Sequence, residues 1–389
     1  MTATNPGIDA SRIDVIGYRE QIRSLKEMIL ANLVMVSEIP AQTFHETDRV
    51  AFLLDRFRES GLDNVSSDQA DNALAVLHGS EPERSILVAA HVDTLAPQTA
   101  DHTVKVSSDT LGGAGIVDNS LGVAAMISLP TILDRLGIRL KSDLVLVGAS
   151  RSLGRGNLEG IQFFLKHHQA KGLHSGIFLE GAQLGRLSYK SLGMLRAEIT
   201  CEFEEAPLPP FGAVGPLCDV VQTLQTIPLP QKPRTTITIG RIESGKSFNL
   251  PARKGRIQLE VRSEQVGMVT RIQSDLSEIV RQVASEHGAR IEMREIARCR
   301  PGGIEFRHPL TVATREIMET LGVEPVIQPS VGELSALIAH EIPGVTIGLT
   351  ESVPDSELVE QVRIEPMFSG LAQLVGLLVA IDEGICDEE

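Results

Sequence analysis

One segment, residues 85–126, limits this chain more than any other. It opens with an unbroken apolar run, residues 86–90, which reads as a strand buried on both faces. The run delivers His91 and Asp93, with one apolar residue between them, to the strand's C-terminal end. Open α/β sheets build their sites at that end. A glycine-rich turn follows (Gly112, Gly113, Gly115), and then Asp118-Asn119 at the start of a helix of small residues. A His oriented by a neighbouring Asp, joined by a second Asp on a tight turn, is the pattern of a metal ligand and its hydrogen-bonded support.

The rest of the chain supplies a frame for such a site. Apolar residues at helical spacing (Ile22, Leu25, Ile29, Leu33) predict one opening helix over 13–36. A proline-bounded turn containing Glu46 leads into a second, amphipathic helix. Buried strands at 143–148 and 176–180 then alternate with helices at 119–136 and 156–168. This alternation predicts a mostly parallel sheet flanked by helices on both faces, an α/β fold. From Ser191 the pattern changes. LRAEITCEF alternates as a half-exposed antiparallel strand, and the proline-crowded stretch 204–233 reads as irregular. Strand, strand, helix and strand follow before the α/β pattern resumes. The expected organisation is an α/β domain from 1–190 and 308–389, interrupted by an α+β insertion over 191–307.

Composition excludes several classes. Hydrophobic residues make up 42% of the 389, yet there is no Trp and aromatics are 3%, so the core must be aliphatic. A formal net charge of −15 argues against nucleic acid as a partner, since phosphate binding needs a basic face. The apolar stretch 371–381 is too short to span a bilayer and is expected to be a packed terminal helix, with no membrane partner. The opening residues have neither a basic nor an apolar stretch of the kind a secretory leader has, so none is expected. Four widely spaced cysteines, with no CxxC pair, suit reduced thiols of a cytoplasmic protein.

HVDT and GAGIVDNSLG together resemble the H-x-D-T and G-x-G-x-x-D-(N/D)-x-x-G signatures of the dinuclear zinc exopeptidase and amidohydrolase family. That family includes peptidase T, carboxypeptidase G, aminoacylase and succinyl-diaminopimelate desuccinylase. The resemblance extends over about 13–381 and implies a zinc-exopeptidase-like sheet with an inserted ferredoxin-like lid or dimerisation domain. In the family, an Asp and a water bridge two zinc ions, and a Glu beside one ligand is the general base. Carried over residue by residue, the bridging Asp is Asp118, the other ligands of one ion are His91 and Glu180, and Asp93 braces His91. Gly245, Asn249 and Arg262 match a lid motif, which implies that Asn249 and Arg262 hold a substrate carboxylate. Pro251 follows Asn249 by two residues where the family often has three.

The second ligand set departs from the pattern. After LVLVGA the family has Glu-Glu-x-Gly; here Arg151 and Ser152 occupy the base and ligand positions. The final His, expected just before the segment containing Glu360, Val362 and Ile364, is missing, and so is a lid His. Three replacements fit poorly: Glu159 is out of register, His340 lies at the wrong strand end, and Glu333 matches an acidic position only loosely. Arginine cannot act as a base. Arg151 is therefore expected to place a positive charge near Asp118 and Glu180 in lieu of the lost ion, the alternative being that it points to solvent on a drifted loop. The resemblance with these departures implies a weak or non-catalytic homologue that holds at most one zinc ion. Its ligand would be peptide-like or an N-acyl amino acid, and it would dimerise through the lid. The alternatives are an active single-metal amide hydrolase using His91, Asp118 and Glu180, and a structural dimer without ligand.

Overall fold

The apolar run that ends on His91 is the strand Ser85–His91, buried along its whole length. The computed structural model describes residues 13–81, 83–167, 172–204, 207–354 and 359–386. The chain forms two units, Met1–Lys190 with Gly303–Glu389, and Ser191–Gly302. The first unit thus resumes at Gly303, where the sequence pattern put residue 308. There the Ile304 N–H donates to the Tyr189 carbonyl at 3.1 Å, so the insertion leaves and rejoins the first unit at adjacent points.

The first unit is built on an eight-stranded sheet. Its order is Asp63–Ser67, Ala73–Leu77, Asp143–Ala149, Ser85–His91, Leu173–Ala182, Gly344–Thr350, Arg186–Ser188 and Val326–Ile327. The four central strands, from Asp143–Ala149 through Gly344–Thr350, are parallel. Their neighbours Ala73–Leu77 and Arg186–Ser188 pair with them antiparallel. Parallel strands place all their C-terminal ends on one edge, and that edge carries His91, Glu180 and the turn after Ala149. A smaller antiparallel sheet, containing Thr110–Ala114 and Val359–Arg363, leads into the Asp118 turn.

Helices Leu121–Leu136 and Ile364–Asp382 pack on the large sheet. They bury an aliphatic core that includes Ile29, Leu33, Val88, Met126, Leu371 and Leu374. The terminal apolar stretch is longer than expected, because the helix extends N-terminally to Ile364. By length and composition alone, Ile364–Asp382 and Ile116–Leu136 could each cross a membrane, yet 78% and 89% of their apolar windows lie buried inside the protein. The single opening helix is in fact two, Val15–Arg23 and Lys26–Ser37. At the break the Ser24 hydroxyl donates to the Gln21 carbonyl at 2.6 Å, a side-chain bond that competes with the helical ladder.

The second unit runs β-α-β-β-α-β, the ferredoxin-like order. Its sheet order is Thr235–Ser244, Lys254–Ser263, Gly193–Glu202 and Arg290–Cys299, all antiparallel. Helices Val214–Leu224 and Met268–His287 share a core with Leu195, Ile199 and Ile257. Helix Val214–Leu224 lies within the stretch expected to be irregular. Its Pro216 sits in the first turn, where a missing N–H breaks no helical bond.

Candidate metal centre

His91 is held by its own strand end. Its Nδ1 lies 2.9 Å from the Asp93 backbone carbonyl and 3.4 Å from the Asp93 carboxylate, which leaves Nε2 to meet Asp118. Asp93 is in turn fixed from three sides. Its oxygens accept from the Ser152 N–H (3.2 Å), the Leu153 N–H (2.8 Å) and the Thr43 hydroxyl (2.8 Å). Burial pushes the Asp93 pKa up, but the hydrogen bond and charge of His91, with the Leu153 and Thr43 donors, prevail and hold it below the usual range.

Asp118 reaches the same point along a different path. Gly115 turns the chain in the left-handed region (φ 68°), where any side chain would also strike Thr94. Asp118 and Asn119 then leave helical geometry before helix Leu121–Leu136 begins, and the peptide between them is cis. The Asn119 side chain donates to the Leu179 carbonyl at 2.7 Å, tying the turn to the strand that carries Glu180. Gly181 permits the approach, since a Cβ there would lie 2.1 Å from the Val117 carbonyl oxygen.

The result is a cluster. His91 Nε2 sits 2.9 Å from Asp118 Oδ1, and one ligand atom each from His91, Asp118 and Glu180 lie within 4.8 Å of one another. Burial, the largest influence on His91, opposes its charge, but hydrogen bonds to Asp118 and Asp93 prevail and raise its pKa well above the ordinary value. Asp118 is held low despite burial, because His91 hydrogen-bonds to it. Glu180 is pushed up to about 7, chiefly by burial, with His91 and Arg186 opposing and Asp118 and Glu333 assisting. Two carboxylates and an imidazole converging on one point, with the imidazole fixed from behind, fit one divalent cation with nitrogen and oxygen ligands.

The positions that depart from the family pattern are arranged otherwise than expected. Arg151 does not lie between Asp118 and Glu180. Its φ of 53° and the bond from its N–H to the Glu46 carboxylate (2.9 Å) set its direction, and its guanidinium pairs with Asp71 and with Glu159 at 2.7 Å. Besides His91, the positive charge that acts on both Asp118 and Glu180 is that of Arg186, 35 residues further along the chain. Ser152 is buried; its N–H supports Asp93 and its hydroxyl has no hydrogen-bond partner. Among the three poor replacements, Glu159 is occupied by Arg151 and His340 is exposed beyond helix Leu334–Ala339. Glu333 is different: it is buried, and both His91 and Glu180 feel its charge. Residues 355–358, within the loop where the family's last His would fall, lie outside the described residues. Glu360, just after them, caps the Asp118 turn by accepting the Val117 N–H at 3.2 Å.

Two supporting residues escape sequence reasoning. Arg49 is fully buried and donates to the Val92 carbonyl at 3.1 Å, to the Ile39 carbonyl and to the Ser120 hydroxyl at 3.3 Å. It joins the segment between His91 and Asp93 to the Asp118 turn. Its DR dipeptide inside an amphipathic helix gives no sign of this, and burial lowers its pKa to about 10. Arg186 carries no motif either. The lid residues lie in the second unit. Asn249 is exposed, accepts from the Ser247 hydroxyl at 2.7 Å and lines a groove of about 730 Å³ with Phe211, Phe248 and Leu250. Arg262 pairs with Glu260.

A helix-covered parallel sheet with a His/Asp/Glu cluster on its C-terminal edge, interrupted by a ferredoxin-like unit, defines the class: a zinc-exopeptidase-type architecture. Residues 72–151, which contain His91, Asp118 and Arg151, match the model of peptidase family M28. The fold matches that of the di-peptidase Dug1p from Saccharomyces cerevisiae with a TM-score of 0.78 at 13% identity, over 95% of this chain and 99% of that one. It matches aminopeptidase PepT from Bacillus cereus at 0.72 and 16%, over 92% and 98%. It also matches the YXEP protein of Bacillus subtilis, a dinuclear metal-binding peptidase of the M20 family, at 0.66 and 16%, over 93% and 99%. The fold is therefore that of the M20 peptidases. No curated protein sequence matches.

Proposed function

We propose that this chain is a one-metal derivative of the metallopeptidase design. It would bind a peptide-like or N-acyl amino acid ligand and would have lost the family's dinuclear hydrolysis. The observation that carries this reading is the contrast between the two ligand sets. His91, Asp118 and Glu180 converge within 4.8 Å, whereas the chain has Arg151 and Ser152 in place of the other set's carboxylates. The Arg151 guanidinium is engaged elsewhere, so it neither holds an ion nor replaces one.

When bound, a divalent cation at this trio would supply Lewis-acid polarisation of a substrate carbonyl. His91 Nε2, Asp118 and Glu180 would hold it. Asp93 would fix His91 through Nδ1, and the Ser152 and Leu153 amides would keep Asp93 in place. Arg186 would balance the remaining carboxylate charge. In the second unit, Asn249 and Arg262 would contact a carboxylate of the ligand, as the match to the family's lid motif suggests. Thr235–Ser244 is an edge strand with Ile239 and Ile242 exposed, which favours a homodimer through this unit.

Metal analysis after loading with zinc or manganese tests the proposal. One tightly held ion per chain, lost in His91→Ala, is expected. Two ions per chain would refute the reading.

A further inference from the structure

Losing the family's base leaves hydrolysis without a proton acceptor unless another carboxylate takes its place. The described carboxylates around the trio can be sorted by what they already hold. Asp93 accepts three hydrogen bonds from Thr43, Ser152 and Leu153. Glu360 accepts the Val117 N–H, and Glu46 accepts the Arg151 N–H. Glu159 is paired with the Arg151 guanidinium. Glu333 differs from all of these. It is 6% exposed, and its Oε1 is buried with no hydrogen-bond partner among the described residues.

A buried carboxylate oxygen without a donor is costly, and it persists where a ligand or water completes its bonding. Glu333 immediately precedes helix Leu334–Ala339, which packs on strand Gly344–Thr350, the parallel neighbour of the strand that carries Glu180. In keeping with that placement, its charge acts on both His91 and Glu180. It does not join the three atoms grouped within 4.8 Å, so it stands outside the ligand set. A general base of a metal site stands close to the ligands without being one of them.

We propose that Glu333, buried with Oε1 unpartnered near His91 and Glu180, is the proton acceptor that lets this one-metal site hydrolyse an amide. The inference rests on the one-metal reading above and adds a base to it. Oε1 takes one proton from a water molecule as the water oxygen bonds to the amide carbonyl carbon. The carbon–nitrogen bond then breaks, and the proton on Glu333 passes to the departing nitrogen. The products are one carboxylic acid and one amine, and Glu333 is restored.

The test uses the full-length protein loaded with zinc or cobalt, a panel of dipeptides and N-acetyl amino acids, and the variants Glu333→Gln and Glu333→Asp. Wild type should bind one ion and turn over at least one panel compound. Glu333→Gln should keep one ion and the wild-type melting profile while losing turnover by about 10²–10⁴-fold. Glu333→Asp should recover some of it. Independently of turnover, the visible spectrum of the cobalt-loaded protein should titrate with pH differently in Glu333→Gln. Loss of the ion in Glu333→Gln would make Glu333 a ligand and overturn the proposal. So would one bound ion with no turnover of any compound, or with turnover and cobalt titration unaffected by Glu333→Gln. Zero or two ions in wild type would instead sink the one-metal reading.

Discussion

Arg151 makes its ion pairs at a partly exposed site, with Asp71 and Glu159 both more than half exposed. Pairs of that kind contribute at most about 1 kcal/mol. Arg151→Ala should therefore melt close to wild type and leave metal stoichiometry unchanged, which equilibrium unfolding and metal analysis can check. Arg49 is the opposite case. Arg49→Met would leave the Ile39 and Val92 carbonyls and the Ser120 hydroxyl without a donor in the interior, so a loss of about 2–4 kcal/mol in urea unfolding is expected. Glu180 makes the metal-free protein sensitive to pH. Its pKa is raised from 4.5 to about 7, so its proton favours the folded state; that contribution is complete below pH 4.5 and is lost as pH rises through about 7. His91, also raised, acts with the same sign above 6.5, whereas Asp93 and Asp118, both lowered, favour folding above 3.8 and lose that effect on acidification. In EDTA, melting temperature should fall between pH 5.5 and 8, and Glu180→Gln should flatten that slope.

At the scale of elements, the site depends on how closely the Glu180 strand approaches the Asp118 turn. Gly181→Ala would push a methyl group into the Val117 carbonyl, drive the two ligand-bearing segments apart and cost about 1–3 kcal/mol. Metal affinity by calorimetry should fall with it, although no ligand is altered. The sequence discloses one side of this arrangement well. His91, Asp93 and Asp118 fall within 28 residues of one another, on a strand end and a glycine turn whose local pattern carries its own meaning. Glu180 lies near the C-terminal end of a mostly buried strand and is legible for the same reason. Arg186 and Arg49 stay hidden because each comes from another element, which no local spacing encodes, and Glu333 is picked out only as a loose match to an acidic position. Arg151 misleads for a related reason. Its position in the chain suggests a charge facing the carboxylates, but a left-handed backbone and a bond to Glu46 turn its side chain toward Asp71. Helix Val214–Leu224 is masked by proline density, which signals a break even though Pro216 occupies a turn that tolerates it.

For the whole molecule, zinc at about 100 times its dissociation constant should stabilise the fold by about 2.7 kcal/mol, an effect that disappears in His91→Ala. If the second unit mediates dimerisation, replacing exposed Ile239 and Ile242 with Lys should halve the mass seen by sedimentation equilibrium without altering bound metal. The trio itself comes wholly from the first unit, and the Ile304 N–H to Tyr189 carbonyl bond brings the two borders of the insertion side by side. A splice of Lys190 to Gly303 through a short glycine linker therefore interrupts no strand of the eight-stranded sheet. The shortened chain should still chelate its ion, making coordination a property that can be severed from whatever the ferredoxin-like insert recognises.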